Sequence, residues 1–213
     1  MTDDGRVMTD DGRAGFFQYT QADLDALKKK DKKLAAVIDR YGAIRREVNR
    51  DLFSALVGSI ISQQISSKAA DTIERRLLSL CGEITPASVH AADLSSIQRC
   101  GTSTRKAGYI KEAAKAVYSG TLDLTSLAGM PDENIISLLS GLPGIGVWTA
   151  EMLLIFSLGR MDVLSYGDLA IRRGLRRLYG HKTLTKERFA IYKKRYSPYG
   201  SIASLYLWRL SVD

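Results

Sequence analysis

Between Ile135 and Ala150 the chain reads I-I-S-L-L-S-G-L-P-G-I-G-V-W-T-A. The pattern is an apolar helix, a tight Gly/Pro turn and a second apolar helix, whose first turn has N–H groups without intrahelical partners. Gly144 and Gly146 remove side chains where a phosphate could approach the backbone, and the helix start behind them offers donors and a favourable dipole. Leu142 and Ile145 would pack the hairpin between its helices. The competing reading is an ordinary helix–helix turn. Further on, Gly167-Asp168 opens another helix, and an Asp in that position is most often a simple N-cap. Gln63-Gln64 stands where an apolar helix ends and a loop begins. Arg172, Arg173, Arg176 and Arg177 fall at i, i+4 spacing after Asp168, open equally to DNA contact and to salt bridging.

Composition narrows what such residues could serve. The 213 residues suffice for one large domain or two small ones, with 45% hydrophobic and 25% charged residues, ordinary for a soluble globular protein. No stretch approaches the roughly 20 uncharged apolar residues a spanning helix needs, and no apolar signal-peptide core opens the chain. Cys81 and Cys100 are too few for a disulfide framework or a four-cysteine metal cluster, and His90 and His181 leave little for a histidine-based metal centre. A net charge of +8 points to a polyanionic partner, most often nucleic acid.

The elements that must position these residues read as helices throughout, and the fold class is all-α. The repeated T-D-D-G-R at 2–6 and 9–13 reads as part of a disordered tail, 1–18, without chemistry. Asp51 caps a helix with an apolar stripe at Leu52, Phe53, Leu56, Val57, Ile60 and Ile61. Ser66 caps the next, 67–80. A helix opens after Gly101-Thr102-Ser103 and runs to about Tyr118, and Pro131 starts one that ends at Ser140. The spacing predicts further helices over about 147–158, 169–179, 185–196 and 199–211, the first apolar nearly all round and therefore buried. No segment reads as a convincing strand.

At this point the sequence resembles a known family. L-P-G-I-G-V-W-T-A followed by D-V-L-S-Y-G-D-L-A-I-R-R-G is similar to the helix-hairpin-helix DNA glycosylases, nearest to the branch of alkylation-repair 3-methyladenine DNA glycosylases. Ile60–Ser66, Thr104–Ile110 and Tyr196–Ala203 resemble further family segments, so that the likeness covers about 35–212. It implies two helical subdomains flanking a cleft, in the compact form without an N-terminal β-rich domain. One subdomain would comprise 19–48 and 132–213, with the hairpin and the catalytic Asp, and the other 49–131, with a DNA-inserting loop.

The resemblance also implies roles. Cleavage of an N-glycosidic bond builds positive charge on the sugar, and Asp168 would be the carboxylate that stabilises it, with Asp162 left a structural role. Where strand-nicking relatives carry a Schiff-base Lys, this chain has Trp148, which implies a monofunctional enzyme that leaves an abasic site. Trp148, Tyr196 and Tyr166 are candidates for the base pocket, whose aromatic walls suit a cationic alkylated purine. Gln64, with Gln63, would fill the stack vacated by the flipped base. Gly144, Gly146, Thr149, Lys68, Arg105 and Lys106 would meet the phosphate backbone. The carbonyls of Ser140, Leu142 and Ile145 would hold a structural Na+ or K+; no other cofactor is implied, and the iron–sulfur loop of some members has no counterpart after Arg209. Gly200 stands where relatives often have Arg, which departs from the pattern.

The expected partner is double-stranded DNA containing damaged bases, met by a monomer inside the cell, with no membrane attachment. Two other functions fit the same residues: a glycosylase for oxidised, mismatched, deaminated or etheno bases, and a non-catalytic helix-hairpin-helix DNA-binding module.

Overall fold

The structure, a computed structural model, describes residues 14–213. The duplicated T-D-D-G-R segments lie outside the described residues. In chain order the elements are β1 (Ala14–Phe16), α1 (Gln21–Lys30), α2 (Lys32–Tyr41), β2 (Glu47–Asn49), α3 (Leu52–Ser62) and α4 (Ser67–Cys81). They continue as α5 (Pro86–Ala91), α6 (Leu94–Arg99), α7 (Thr104–Tyr118), a 3-10 turn at Ser126–Gly129, α8 (Asp132–Ser140) and α9 (Val147–Phe156). The chain closes with α10 (Leu169–Tyr179), α11 (Lys186–Tyr196) and α12 (Gly200–Val212). The all-α class holds. Among the described residues no helix is long and apolar enough to cross a membrane.

The described residues divide into two compact units, one of 14–50 and 154–213 and the other of 51–153. In the first, Asp31 caps α2 by accepting from the amides of Lys33 and Leu34, both at 3.0 Å. Thr20 and Asp23 form a capping box at the start of α1. The core gathers Leu24, Leu27, Leu34, Ile38, Ile171, Leu175 and the buried length of α12 from Gly200 to Leu207. Helices α10 and α12 approach so closely that a Cβ on Gly174 would lie 2.3 Å from the carbonyl oxygen of Leu207. Only a residue without a side chain fits at that crossing.

Two expectations fail in this unit. Ala14–Phe16 and Glu47–Asn49 pair antiparallel, with Gly15 opposite Val48, where no strand was expected. Residues 14–18 are likewise no tail: Phe17 is 5% exposed and its N–H donates to the carbonyl of Arg46 at 2.8 Å. Strands of three residues are too short to display an alternating pattern, and burial of Phe17 and Val48 holds them in place.

The second unit follows the apolar stripes closely. Asp51 accepts from the amide of Ser54 at 3.0 Å, and all six expected apolar residues of α3 are buried. Ser66 and Ser103 cap α4 and α7. Residues 132–153, which the resemblance groups with the catalytic Asp, lie in this unit with the loop after α3. Side-chain ties from that loop and from α7 to the hairpin hold them there.

Candidate functional site

In the first unit the chain turns sharply at Gly167 and places Asp168 at the N-cap of α10. The carboxyl is 6% exposed. Its Oδ1 accepts from the amide of Ile171 at 2.8 Å, and its Oδ2 accepts from the indole Nε1–H of Trp208 on α12 at 3.1 Å. One oxygen is thus fixed by the helix it caps and the other by a neighbouring helix, so the group cannot rotate without losing a bond. Trp208 is itself braced by Phe156, with ring centroids 5.4 Å apart. Sequence reasoning passed over Trp208; the usable signal is that an indole N–H in an apolar helix needs an acceptor.

Asp162 has the structural role expected of it: it accepts from the Ser197 hydroxyl and, at 3.1 Å, from the amide of Gly200, closing the start of α12. A Cβ on Gly200 would lie 2.9 Å from that carboxylate and 3.2 Å from backbone carbons, which accounts for glycine at this position.

Both tyrosines assigned to the base pocket are committed elsewhere. Tyr196 has no exposed surface; its hydroxyl lies 2.7 Å from that of Tyr179, which donates to Asp31. Burial raises the pKa of both phenols, so they serve this network as neutral groups. Tyr196 is therefore a core residue in this structure, not a stacking surface. Tyr166 packs edge-on against Phe189 and carries Arg172 at 5.0 Å and Lys186 at 5.8 Å from its ring centre. Its π cloud is already engaged by the protein's own cations.

In the second unit the chain between α3 and α4 is a four-residue loop. Gln64 adopts φ +58, a left-handed backbone uncommon outside glycine, and is exposed beside Ile65, itself 39% exposed. The loop is built from behind. Gln63 donates its side-chain amide to the carbonyl of Gly144 at 2.7 Å, and Lys106 donates to the carbonyls of Ile61 and Gln63. Lys106 thereby closes the C-terminus of α3, where carbonyls lack helical partners, and burial together with Arg105 lowers its pKa. Gln63 and Lys106 are thus positioning groups, not the inserting and phosphate-binding residues expected of them. Gln64 is left as the exposed tip.

The hairpin divides its glycines between two tasks. Gly144 has φ +84, and a Cβ there would lie 2.2 Å from a ring carbon of Tyr109 on α7. Its missing side chain is a demand of packing rather than of phosphate approach. Gly146 is exposed, and a Cβ built on it meets nothing within 4 Å. Ile145 is buried, as expected, with its amide on the carbonyl of Leu142 at 3.1 Å. Ser140 ends α8, and Leu142 and Ile145 lie in the turn between α8 and α9. At the start of α9, Thr149 is 7% exposed and can offer little beyond its backbone, whereas Trp148 is 46% exposed. Lys68 lines a surface depression of about 390 Å³ with Ser66, Thr72, Arg76 and Gly101, and Arg105 is exposed.

These geometries meet a clear set of relatives. The model of the HhH-GPD superfamily of base excision DNA repair proteins matches residues 57–198. The chain is 33% identical over 193 residues to DNA-3-methyladenine glycosylase 1 of Schizosaccharomyces pombe, covering 88% of this chain and 85% of that protein. Among solved structures, DNA-3-methyladenine glycosidase of Bacillus halodurans superposes with a TM-score of 0.78 at 35% identity, covering 93% of this chain and 92% of that one. The S. pombe 3-methyladenine DNA glycosylase in complex with abasic DNA superposes with a TM-score of 0.76 at 31% identity, covering 89% and 96%. The chain belongs to the HhH-GPD superfamily of base excision DNA repair proteins.

Proposed function

We propose that this protein is a monofunctional DNA glycosylase that releases alkylated purines from duplex DNA inside the cell. The observation that carries the reading is Asp168, held by a donor on each oxygen at the start of α10, in a chain of this superfamily. As the C1′–N bond breaks, its electron pair leaves with the base and positive charge grows on the sugar. A fixed carboxylate stabilises that charge, and water then attacks C1′. A purine alkylated at N3 or N7 is already cationic and departs as a neutral base, so the site needs no strong general acid. The exposed aromatic Trp148 supplies no amine for a covalent adduct. The reading is tested by incubating methylated duplex with a small amount of enzyme and separating the free purines: several bases per enzyme are expected, and none released would refute it.

The exposed tip position of Gln64 supports a role for it in filling the vacated stack. Gln64→Ala should slow release from fully paired lesions about tenfold, the effect of losing ~1.4 kcal/mol, and should do so less opposite an abasic gap, where unstacking costs less. Equal losses on both substrates, measured in single-turnover excision, would assign the residue a folding role instead.

At the hairpin, phosphate contact rests on Gly146 and the amides behind it. Gly146→Ala should leave the melting temperature unchanged, since its Cβ meets nothing within 4 Å. It should nonetheless weaken damaged and undamaged duplexes alike by about tenfold, the scale of one hydrogen bond to a charged group. Unchanged affinity in a binding titration would return the hairpin to a purely structural turn. The carbonyls of Ser140 at the end of α8 and of Leu142 and Ile145 in the turn before α9 are neutral oxygens of the kind a monovalent cation takes. Bound there, it would supply positive charge beside the phosphate.

A further inference from the structure

Charge is distributed very unevenly between the two units. Residues 14–50 and 154–213 carry 21 Lys and Arg against 9 Asp and Glu, a net +12, whereas residues 51–153 carry 8 against 10, a net −2. The hairpin and the Gln64 loop therefore belong to the unit with the weaker attraction for DNA. Much of the excess lies around the C-terminal end of α10, the helix whose N-terminus carries Asp168.

At that end Tyr179 stacks on Tyr192 with ring centres 4.3 Å apart, and His181 Nε2 lies 2.6 Å from the Tyr192 hydroxyl. Lys33 lies 5.5 Å from the Tyr179 ring centre, and Arg195 lies 5.3 Å from that of Tyr192. Arg188, Ile191 and Arg195 fall at i, i+3 and i+7 on α11, one stripe of that helix, and Ile191 is 58% exposed. Arg188 and Lys33 both act electrostatically on His181, whose pKa is lowered by burial first and by these cations second. The buried carboxylate of Asp31 is spent on Arg195 at 2.7 Å, Tyr179 and its own helix start. Lys33 and Arg188 are in no ion pair among the described residues.

Eleven residues of α helix separate this surface from Asp168 by about 16 Å. A helix that directs its N-terminus at the reacting sugar carries its C-terminus away from it, which leaves that end open to a separate stretch of DNA. We propose that the surface of Lys33, His181, Arg188, Ile191 and Arg195 binds a second DNA segment and passes the protein directly from one duplex to another. Exposed cations with no acid partner suit phosphates, and such contacts carry no sequence information, as a search for rare lesions requires. The proposal rests on DNA being the substrate, and a chain that released no base would still give the following experiment a result.

The test is to pre-bind a labelled undamaged duplex and chase it with increasing concentrations of unlabelled undamaged duplex. For the unaltered protein the dissociation rate should rise several-fold with chase concentration, because the incoming duplex engages before the first departs. Lys33→Gln with Arg188→Gln should make the rate independent of chase concentration, with single-turnover excision of a lesion unchanged. Arg188→Lys should retain the dependence. So should Arg75→Gln with Lys115→Gln, which removes the same net charge from the other unit. A rate independent of chase in the unaltered protein, or a dependence that survives Lys33→Gln with Arg188→Gln, would overturn the proposal. A surface that takes an acidic protein instead of DNA gives the same flat result and counts against it.

Discussion

Asp168→Asn should lower single-turnover base release by about 10³-fold or more, the scale of losing a preorganised electrostatic contact to the transition state, with duplex affinity nearly intact. The structure adds a reason for the size of the effect. An Asn that keeps its oxygen on the Ile171 amide turns its NH2 toward Trp208, whose Nε1–H now donates to Oδ2 at 3.1 Å. Two donors then face each other, and the variant loses its tie to α12 as well as its charge. Trp208→Phe separates the two effects, because it removes the N–H and leaves the carboxylate. It should cost about tenfold, the value of one hydrogen bond to a charged group. If Asp168→Asn in a folded protein turned over at a near-normal rate, the carboxylate would be only the cap of α10.

The second large effect is expected at Gly144. Any side chain there meets a ring carbon of Tyr109 at 2.2 Å and must adopt φ +84 as well. Gly144→Ala should destabilise the protein by about 3 kcal/mol, overpacking a site that cannot yield without moving α7 or the hairpin. It should also abolish specific duplex binding, because the carbonyl of Gly144 receives the Gln63 amide that steadies the Gln64 loop. Tyr109→Ala relieves the overlap, so in that background Gly144→Ala should cost only the backbone term, roughly 1–2 kcal/mol. Denaturant unfolding of the single and double variants checks this. A Gly144→Ala cost undiminished in the Tyr109→Ala background would locate the demand for glycine in the backbone angle and not in packing.

What could be read from the sequence follows the range over which each signal acts. The N-cap at Asp51, the apolar stripe of α3 and the Gly/Pro hairpin are local patterns, and the structure forms each where it was expected. Gly167-Asp168 likewise announced a helix start, whatever chemistry the carboxylate serves. The pocket role of Tyr196 is implied by the family resemblance alone, and no local pattern tells a stacking tyrosine from a buried one. Its burial depends on Tyr179 and on Asp31, which accepts from Arg195 at a separation of 164 residues. Lys106 and Gln63 were misread for a related reason. A lysine beside an arginine suits a phosphate equally well, and only the fold shows its ammonium closing α3, 43 and 45 residues back along the chain. Trp208 carried a weak local signal, an indole donor in an apolar helix, but no pattern named its acceptor 40 residues away.

Hydrolysis of the bond to the base should leave the DNA strand whole. The most direct measurement uses a duplex with one methylated purine and an end-labelled strand, incubated with catalytic enzyme and divided before electrophoresis. One half is loaded directly and the other after brief mild alkali, which cuts abasic sites, beside an enzyme-free duplex treated in the same way. The strand should be intact in the first, cut at the lesion above the enzyme-free background in the second, with many sites converted per enzyme and no borohydride-trapped adduct. A strand already cut at the lesion before alkali, with enzyme covalently trapped, would contradict it, as would a strand that alkali leaves uncut.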